Sequence, residues 1–151
     1  MQDAAAHRRL AVAAYNRSWE LLERDRDDAE QLELLEAAFT SRHHWRVVGG
    51  DQQLAIADWM VARCFAELGE GSLSLRYALA ALSAQPPDAP AWLKASLVEG
   101  LARAHAALGD APARDEAVAL AASLLEGELD AEDRAIIAEQ LASVPDAVTP
   151  S

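Results

Sequence analysis

Residues 54–87 read LAIADWMVARCFAELGEGSLSLRYALAALSAQPP, and they give the clearest indication of the fold. Apolar side chains recur at helical spacing up to Leu68, where Gly69 and Gly71 interrupt them. A second, Ala-rich run follows and stops at Pro86. The spacing is typical of amphipathic helices, and glycine and proline are the residues that most often end them. The stretch therefore predicts two helices joined by a glycine turn.

The composition of the whole chain indicates the same class of fold. Among its 151 residues are 35 Ala and 21 Leu, but Val, Ile and Thr together number only 13. Alanine and straight-chain residues lose little side-chain freedom in a helix, whereas sheets need β-branched and aromatic residues. A length of 151 residues is that of one domain with its own core. The sequence therefore predicts a single all-α domain.

The rest of the chain, interpreted in the same way, predicts about seven antiparallel helices with short connections. On the first two helices, apolar residues recur every three or four positions, and we expect them to face the core. They are Val12, Tyr15, Trp19 and Leu22 on the first helix, and Leu32, Leu35 and Phe39 on the second. The predicted helices cover about residues 3–24, 27–48, 51–68, 72–85, 89–108, 111–125 and 130–145.

These helices fall into four parts of one domain. Residues 3–50 form an N-terminal helix pair, 51–128 form two repeat-like units, 129–145 form a capping helix and 146–151 form a loose tail. The repeat-like units share a spacing of 40 residues, since FAELG at 65–69 aligns with HAALG at 105–109. Each is a helix, a glycine turn and a second helix.

The first unit, residues 55–88, resembles a tetratricopeptide repeat, in which small and large residues alternate so that two antiparallel helices pack closely. The unit departs from that pattern at three positions. Gly71 stands where Tyr is common, Ser74 where Ala is usual, and Ala78, a small residue of the second helix, where an aromatic residue is usual. The positions that match the pattern are Ala62, Phe65, Gly69, Ala81 and Pro86.

The second unit, residues 95–128, resembles the same repeat less closely. His105 stands at the aromatic position and Arg114 at a small one, and the positions that it keeps are Ala102, Gly109 and Ala121. The resemblance implies a right-handed stack of helical hairpins. Residues 8–50 fit no repeat, although 15–22 and 41–45 are similar to stretches of small bacterial helical proteins, a resemblance that implies no activity.

The resemblance also implies a binding groove. In tetratricopeptide proteins, certain positions of each first helix face a concave surface that binds peptides. Trp59 and Arg63 would lie on one helical face with Arg103 alongside, so that a carboxylate could be held beside an aromatic anchor. Carried onto this chain, the groove positions are Ile56, Trp59, Arg63 and Ala66 in the first unit and Ser96, Glu99, Arg103 and Ala106 in the second.

The same residues could instead have a purely structural role, which we call the structural interpretation. Trp59 could pack under the N-terminal helices, while Arg63 and Arg103 pair with Glu67 and Glu99 at the surface. His43, His44 and Trp45 would border the groove if the second helix folds along its inner side, and the groove would then close into a pocket suited to a small ligand.

The charge of the chain excludes some classes of partner. Its net charge is −12, with 25 acidic and 13 basic residues, so nonspecific binding to nucleic-acid phosphate is unfavourable. Residues 51–151 carry sixteen of the acidic and six of the basic residues, so this C-terminal part would repel anionic lipid. No apolar stretch reaches the length of a membrane span. A single cysteine, Cys64, lies on an apolar stripe and is expected in the core, and its presence without a second cysteine suits the cytoplasm. Since twelve of the thirteen basic residues are Arg, the composition also fits a high-GC bacterial genome.

No sequence motif for catalysis or metal binding is found. There is no HExxH or repeated ExxH, no GxSxG and no phosphate-binding glycine loop. His43 and His44 are adjacent, and Glu36 lies two helical turns before His43, which is too few ligands for a metal site. We expect His43 to be a half-buried core histidine, and we expect no metal and no cofactor.

The sequence leaves more than one class of function open. The leading hypothesis is a non-catalytic cytoplasmic module that recognises an extended segment or the C-terminus of a partner protein, and a homodimer through an exposed helix face is compatible with it. A second is a small-ligand or enzymatic pocket in which a histidine acts as acid or base. A third is a regulatory subunit whose acidic C-terminal half meets a basic partner. The pocket of the second hypothesis would be lined by Tyr15, His43, His44, Trp59, Arg63 and His105.

Overall fold

A computed structural model of the chain describes residues 3–128 and 130–149. This part of the chain contains seven helices and no strand, so the all-α class is confirmed. The helices are α1 (Ala4–Leu22), α2 (Asp28–Val48), α3 (Asp51–Glu67), α4 (Gly71–Ala84), α5 (Ala91–Leu108), α6 (Ala111–Leu125) and α7 (Ala131–Ala142).

Consecutive helices pack as hairpins, and the hairpins pack on one another. The most extensive contacts join α1 to α2, α3 to α4 and α5 to α6, while α2 also packs on α3 and α4 on α5. The odd-numbered helices form a row, because α3 contacts both α1 and α5, and α5 contacts α7. The last helix, α7, also packs on α6 and so covers the end of the row.

The helices begin and end where the sequence provides caps. Asp27 accepts the backbone N–H of Glu30, whose side chain in turn accepts the backbone N–H of Asp27, so α2 starts with a complete capping box. Gly69 and Gly109 end the first helix of their hairpins with φ of +78°, a conformation that favours glycine. The remaining aspartate N-caps are Asp3, Asp110 and Asp130.

The contact between α1 and α2 differs from the predicted one. Val12 is 47% exposed and Leu32 is 71% exposed, so the predictions that they face the core are wrong. Small side chains occupy the interface instead, and the Ser41 hydroxyl donates to the carbonyl of Ala11 at 2.8 Å. Ala and Ser let the two backbones approach closely, and the large side chains that are fully buried on these helices are Leu21 and Leu34, which the predicted stripes did not include. Other large apolar residues of the two helices are partly buried. Those that pack on the core are Tyr15, Trp19, Leu22, Leu35 and Phe39.

The departures from the tetratricopeptide pattern in the α3–α4 hairpin have physical reasons. The Ser74 hydroxyl is buried and donates to the carbonyl of Ala62 at 2.7 Å, which ties α4 to α3. A Cβ atom at Gly71 would lie 3.0 Å from the carbonyl carbon of Ala107 and closer still to the side chain of Leu108. Glycine therefore permits the close approach of α4 to the end of α5. The arrangement specific to tetratricopeptide repeats remains a prediction.

The C-terminal segment lies along α5. The Val148 N–H donates to the carbonyl of Ala106 at 2.9 Å, and Arg114 donates to the carbonyls of Val144 and Pro145. Arg114, which stands where the repeat has a small residue, thus fastens this segment to α6. Residues 150 and 151 of the predicted loose tail lie outside the described residues. None of the helices in the described ranges is both long and apolar enough to cross a membrane.

Candidate functional site

A pocket of about 270 Å³ opens between the odd-numbered helices, and we call it the aromatic pocket. Helices α1, α3, α5 and α7 each contribute side chains to its wall, which is mostly apolar. Its lining residues are Tyr15, Trp19, Ile56, Trp59, Trp92, Leu93, Ser96, Leu97, Asp133, Ile136, Ile137 and Gln140.

Aromatic side chains from three helices meet in this pocket. The ring centroids of Trp19 and Trp59 are 5.9 Å apart, and those of Tyr15 and Trp19 are 6.4 Å apart with the rings edge to face. Trp59 is buried, whereas Tyr15, Trp19 and Trp92 keep part of their surface exposed. Three of the chain's four tryptophans therefore line one pocket, and an indole supplies both apolar area and a polarised ring for binding.

The carboxylate of Glu99 lies under the pocket at the centre of a buried polar cluster. The Trp59 indole N–H donates to Glu99 Oε2 at 3.0 Å, and Arg103 Nε donates to Glu99 Oε1. Arg63 Nη1 lies 3.7 Å from the same Oε1. Glu99 is 0% exposed, so its charge depends on these partners rather than on water. We call Trp59, Arg63, Glu99 and Arg103 the Glu99 network.

Arg103 forms hydrogen bonds both within this network and with α7. Besides Glu99, it donates through Nη2 to the carbonyl of Gln140 at 2.9 Å and to the Ser143 hydroxyl at 2.6 Å. Its guanidinium thereby connects α5 to the last turn of α7. The sequence predicted that a partner's carboxylate would lie beside Arg103 and Arg63, but in the structure Glu99 of the same chain occupies that position.

Arg63 has fewer partners than Arg103. Its Nε and Nη1 atoms are buried without a hydrogen bond, and its guanidinium carbon lies 5.1 Å from the centroid of the Trp19 ring. Burial lowers the pKa of Arg63, and the charge of Arg103 adds to this effect. The structural interpretation of the sequence agrees with these observations for Trp59, which packs on Trp19 of α1, and for the pairing of Arg103 with Glu99, although that pair is buried and not at the surface. Arg63 pairs with Glu99 and not with Glu67, which pairs with Arg26 instead.

Gly100 is explained by the ring of Trp59. It lies inside α5, where glycine is unfavourable, yet a Cβ atom there would lie 2.7 Å from Cδ1 of the indole. Trp59 can therefore reach Glu99 only because residue 100 has no side chain.

A second cavity, of about 220 Å³, lies on the other side of the network. Arg63 and Arg103 line it together with Ala66 and Ala106, four of the predicted groove positions. The predicted groove is thus divided: Ile56, Trp59 and Ser96 line the aromatic pocket, and Glu99 is buried between the two cavities. The remaining residues of the second cavity are Glu67, Gly69, Ala107, Pro145 and Val148.

The histidines lie elsewhere. His44 Nδ1 is 2.8 Å from Nδ1 of His7 at the start of α1, and His43 is exposed, so the prediction of a half-buried His43 is wrong. Neither His43 nor His44 lines the aromatic pocket, since α2 presents His44 to the first turns of α1 and His43 contacts the ring of His44. His105 is partly buried and its Nδ1 has no hydrogen-bond partner. Within the described residues no cluster of His, Cys, Asp or Glu could hold a metal ion.

Several residues of the aromatic pocket were not among the predicted groove positions. Trp92 precedes the second unit by sequence, and Asp133, Ile136 and Gln140 belong to the predicted capping helix. The sequence feature that could have indicated this pocket is the distribution of tryptophan. The four tryptophans lie on four different helices, and three of these helices are odd-numbered. Cys64 is buried in the core as predicted, and burial raises the pKa of its thiol to about 12, so it is no nucleophile at neutral pH.

Comparison with known proteins gives no further assignment. No protein-family model, curated protein or solved structure matches this chain. The class of protein is therefore defined by the fold and the pocket alone: an all-α stack of helical hairpins with an aromatic pocket along its odd-numbered helices.

Proposed function

We propose that this chain is a non-catalytic binding module that recognises an extended segment of a partner protein along its odd-numbered helices. The observation that carries the proposal is the meeting of Trp19, Trp59 and Trp92 in one open pocket. Partly exposed tryptophans in an apolar cleft are the residues that most often dominate binding energy. A patch of this kind on a surface that is otherwise rich in charge marks an interaction site.

The distribution of polar groups also supports binding over catalysis. Glu99 and Arg103 face each other inside the protein, and neither lines the aromatic pocket. The polar groups that do line it are a serine, an aspartate, a glutamine and a tyrosine, an assortment that lacks a nucleophile paired with a base. Such groups can fix the orientation of a ligand in a mostly apolar pocket.

A peptide selection tests this function directly. Random-sequence peptides displayed on phage would be selected on the wild-type protein, and the enriched peptides would then be titrated against Trp92→Ala. We expect at least about tenfold weaker binding, which is the usual effect of losing a central tryptophan. Trp45→Ala is the matched control, because Trp45 lies on α2 beside Arg8 and outside the pocket.

The proposal fails if no peptide is enriched, or if the enriched peptides bind Trp92→Ala as tightly as the wild type. Trp92 also packs on the core, so the helicity and melting temperature of both variants are measured first. If Trp92→Ala is unfolded, Ile136→Ser replaces it, since Ile136 lines the pocket and is 49% exposed.

A further inference from the structure

We propose that the aromatic pocket takes a cationic side chain, that of a lysine or arginine in the partner segment, with Asp133 as its counter-charge. This inference rests on the proposed function and names the chemistry that the pocket selects.

The rings of the pocket can attract a cation. Trp, Tyr and Phe rings bind ammonium and guanidinium groups over their faces, within about 6 Å of the ring centroid. Trp19 already does so inside the protein, because Arg63 lies 5.1 Å from its centroid. Neither Tyr15 nor Trp92 has such a contact among the described residues, although both line the pocket with part of their surface exposed.

The charge of the pocket is negative. Asp133 is the one carboxylate or cationic side chain among the described lining residues, and it forms no ion pair there. It is exposed, so a ligand can reach it from solvent. An anionic ligand would meet this uncompensated carboxylate, whereas a cation would neutralise it.

The surroundings of Asp133 strengthen this preference. Desolvation by the neighbouring groups raises the pKa of the Asp133 carboxyl, and the negative charges of Asp130, Glu128 and Glu132 raise it further. Glu128 is occupied, since it accepts the backbone N–H groups of Trp92 and Asp130. The whole chain has a net charge of −12, which would attract a basic segment from a distance and make its association depend on salt.

The guanidinium groups of Arg63 and Arg103 do not cancel the negative charge at the aromatic pocket. Arg103 pairs with Glu99, and Arg63 lies behind Trp19 and beside the same carboxylate. Neither lines the aromatic pocket. The cavity that they do line lies on the far side of the Glu99 network.

The size of the pocket fits one long side chain. A volume of about 270 Å³ is below that of sites that hold drug-sized ligands, and a folded element would not enter it. Ile56 and Ile136 provide apolar contact for a methylene stem, and lysine and arginine stems pack on such surfaces while the charged end stays near a polar group.

Two short peptides that differ in one charge test the inference. The first is acetylated and amidated, with one lysine between two leucines and glycine at each end, and the second has norleucine in place of the lysine. Binding is followed by tryptophan fluorescence at low and high salt. We expect the lysine peptide to bind at least about tenfold more tightly at low salt, and the advantage to shrink at high salt.

Three variants assign the advantage to the pocket. Asp133→Asn should bring the two peptides to similar affinities. Glu132→Gln is its matched control, because it removes the same charge from the neighbouring residue, which does not line the pocket, and it should keep most of the lysine preference. Trp92→Leu retains apolar contact without an aromatic face, so it should weaken the lysine peptide and leave the norleucine peptide nearly unchanged.

Each outcome decides for or against the inference. A lysine preference that is lost in Asp133→Asn and retained in Glu132→Gln supports it. Equal binding of both peptides would overturn it while leaving the proposed function intact, provided that Trp92→Ala weakens both. Failure of both peptides to bind would also overturn it, and the phage selection then decides the proposed function separately.

Discussion

The Glu99 network and the aromatic pocket lie side by side between the same helices, but their side chains are used in opposite ways. In the network, the charges of Glu99 and Arg103 meet each other inside the protein, and Trp59 gives its N–H to the same carboxylate. In the pocket, Trp92 and Asp133 face an open volume. Residue type alone therefore does not define a site, since tryptophan and carboxylate occur in both regions.

We expect the greatest loss of stability when the carboxylate of the Glu99 network is removed. Glu99→Ala would leave two buried guanidinium groups without their carboxylate, and removing one partner of a buried charge cluster typically costs about 3–5 kcal/mol. Urea unfolding of both proteins measures the loss. Glu99→Gln keeps an acceptor for the Trp59 N–H but removes the charge. Its free energy of unfolding should lie between those of the wild type and Glu99→Ala.

The matched control for Glu99→Ala is Glu33→Ala, which breaks an ion pair with Arg17 at the surface. Exposed pairs contribute little, so we expect a small change there. Equal losses from the two substitutions would contradict the description of Glu99 as the centre of a closed network.

A smaller effect is expected at Gly100. Alanine there should gain helix propensity, but its Cβ would displace the Trp59 ring, and we expect a net loss of about 1–2 kcal/mol. In a Trp59→Val background, where no indole meets the new methyl group, the same substitution should become neutral or stabilising. A double-mutant cycle on urea unfolding measures this change of sign. If the stability changes of the two substitutions are additive, the absence of a side chain at Gly100 is not required by the Trp59 ring.

The smallest effect concerns the histidines, which belong to neither region. Burial lowers the pKa of His44, and the charges of His7 and His43 lower it further. The unfolded chain then binds a proton more readily than the folded one, so stability is complete above about pH 6.5 and decreases as the pH falls through the folded pKa.

His44→Asn should therefore lose less stability than the wild type when the pH falls from about 7.5 to about 5. The comparison uses urea midpoints at both pH values, with His105→Asn as a control outside this cluster. If His44→Asn keeps the full pH dependence of the wild type, the acid-sensitive group lies elsewhere.

The fold could be predicted from the sequence further than the site could. Helical period, aspartate caps and glycine turns are local signals, so all seven helices were predicted within a few residues of their observed ends. The faces of α1 and α2 that turn to the core were predicted less well. Val12 and Leu32 are exposed, because small residues form the α1–α2 contact. A periodic pattern of apolar residues does not show which of the neighbouring faces makes that contact.

For the site, the resemblance brought together Trp59, Arg63, Glu99 and Arg103, and the structure does place them in contact. It could not show that Glu99 is buried and takes the role of the expected ligand, because burial depends on α1 and α7, which no repeat pattern covers. The same limit applies to Trp92 and Asp133, which meet only through the packing of α7 on α5.

The most direct test uses the four tryptophans themselves. Their indole N–H groups give separate NMR signals, which can be followed as the lysine peptide is added. If the pocket is the open site and the network is closed, the signals of Trp19 and Trp92 move, that of Trp59 moves less because its N–H stays on Glu99, and that of Trp45 does not move. Movement of the Trp45 signal with no change at Trp19 and Trp92 would place binding outside the aromatic pocket and contradict the central claim.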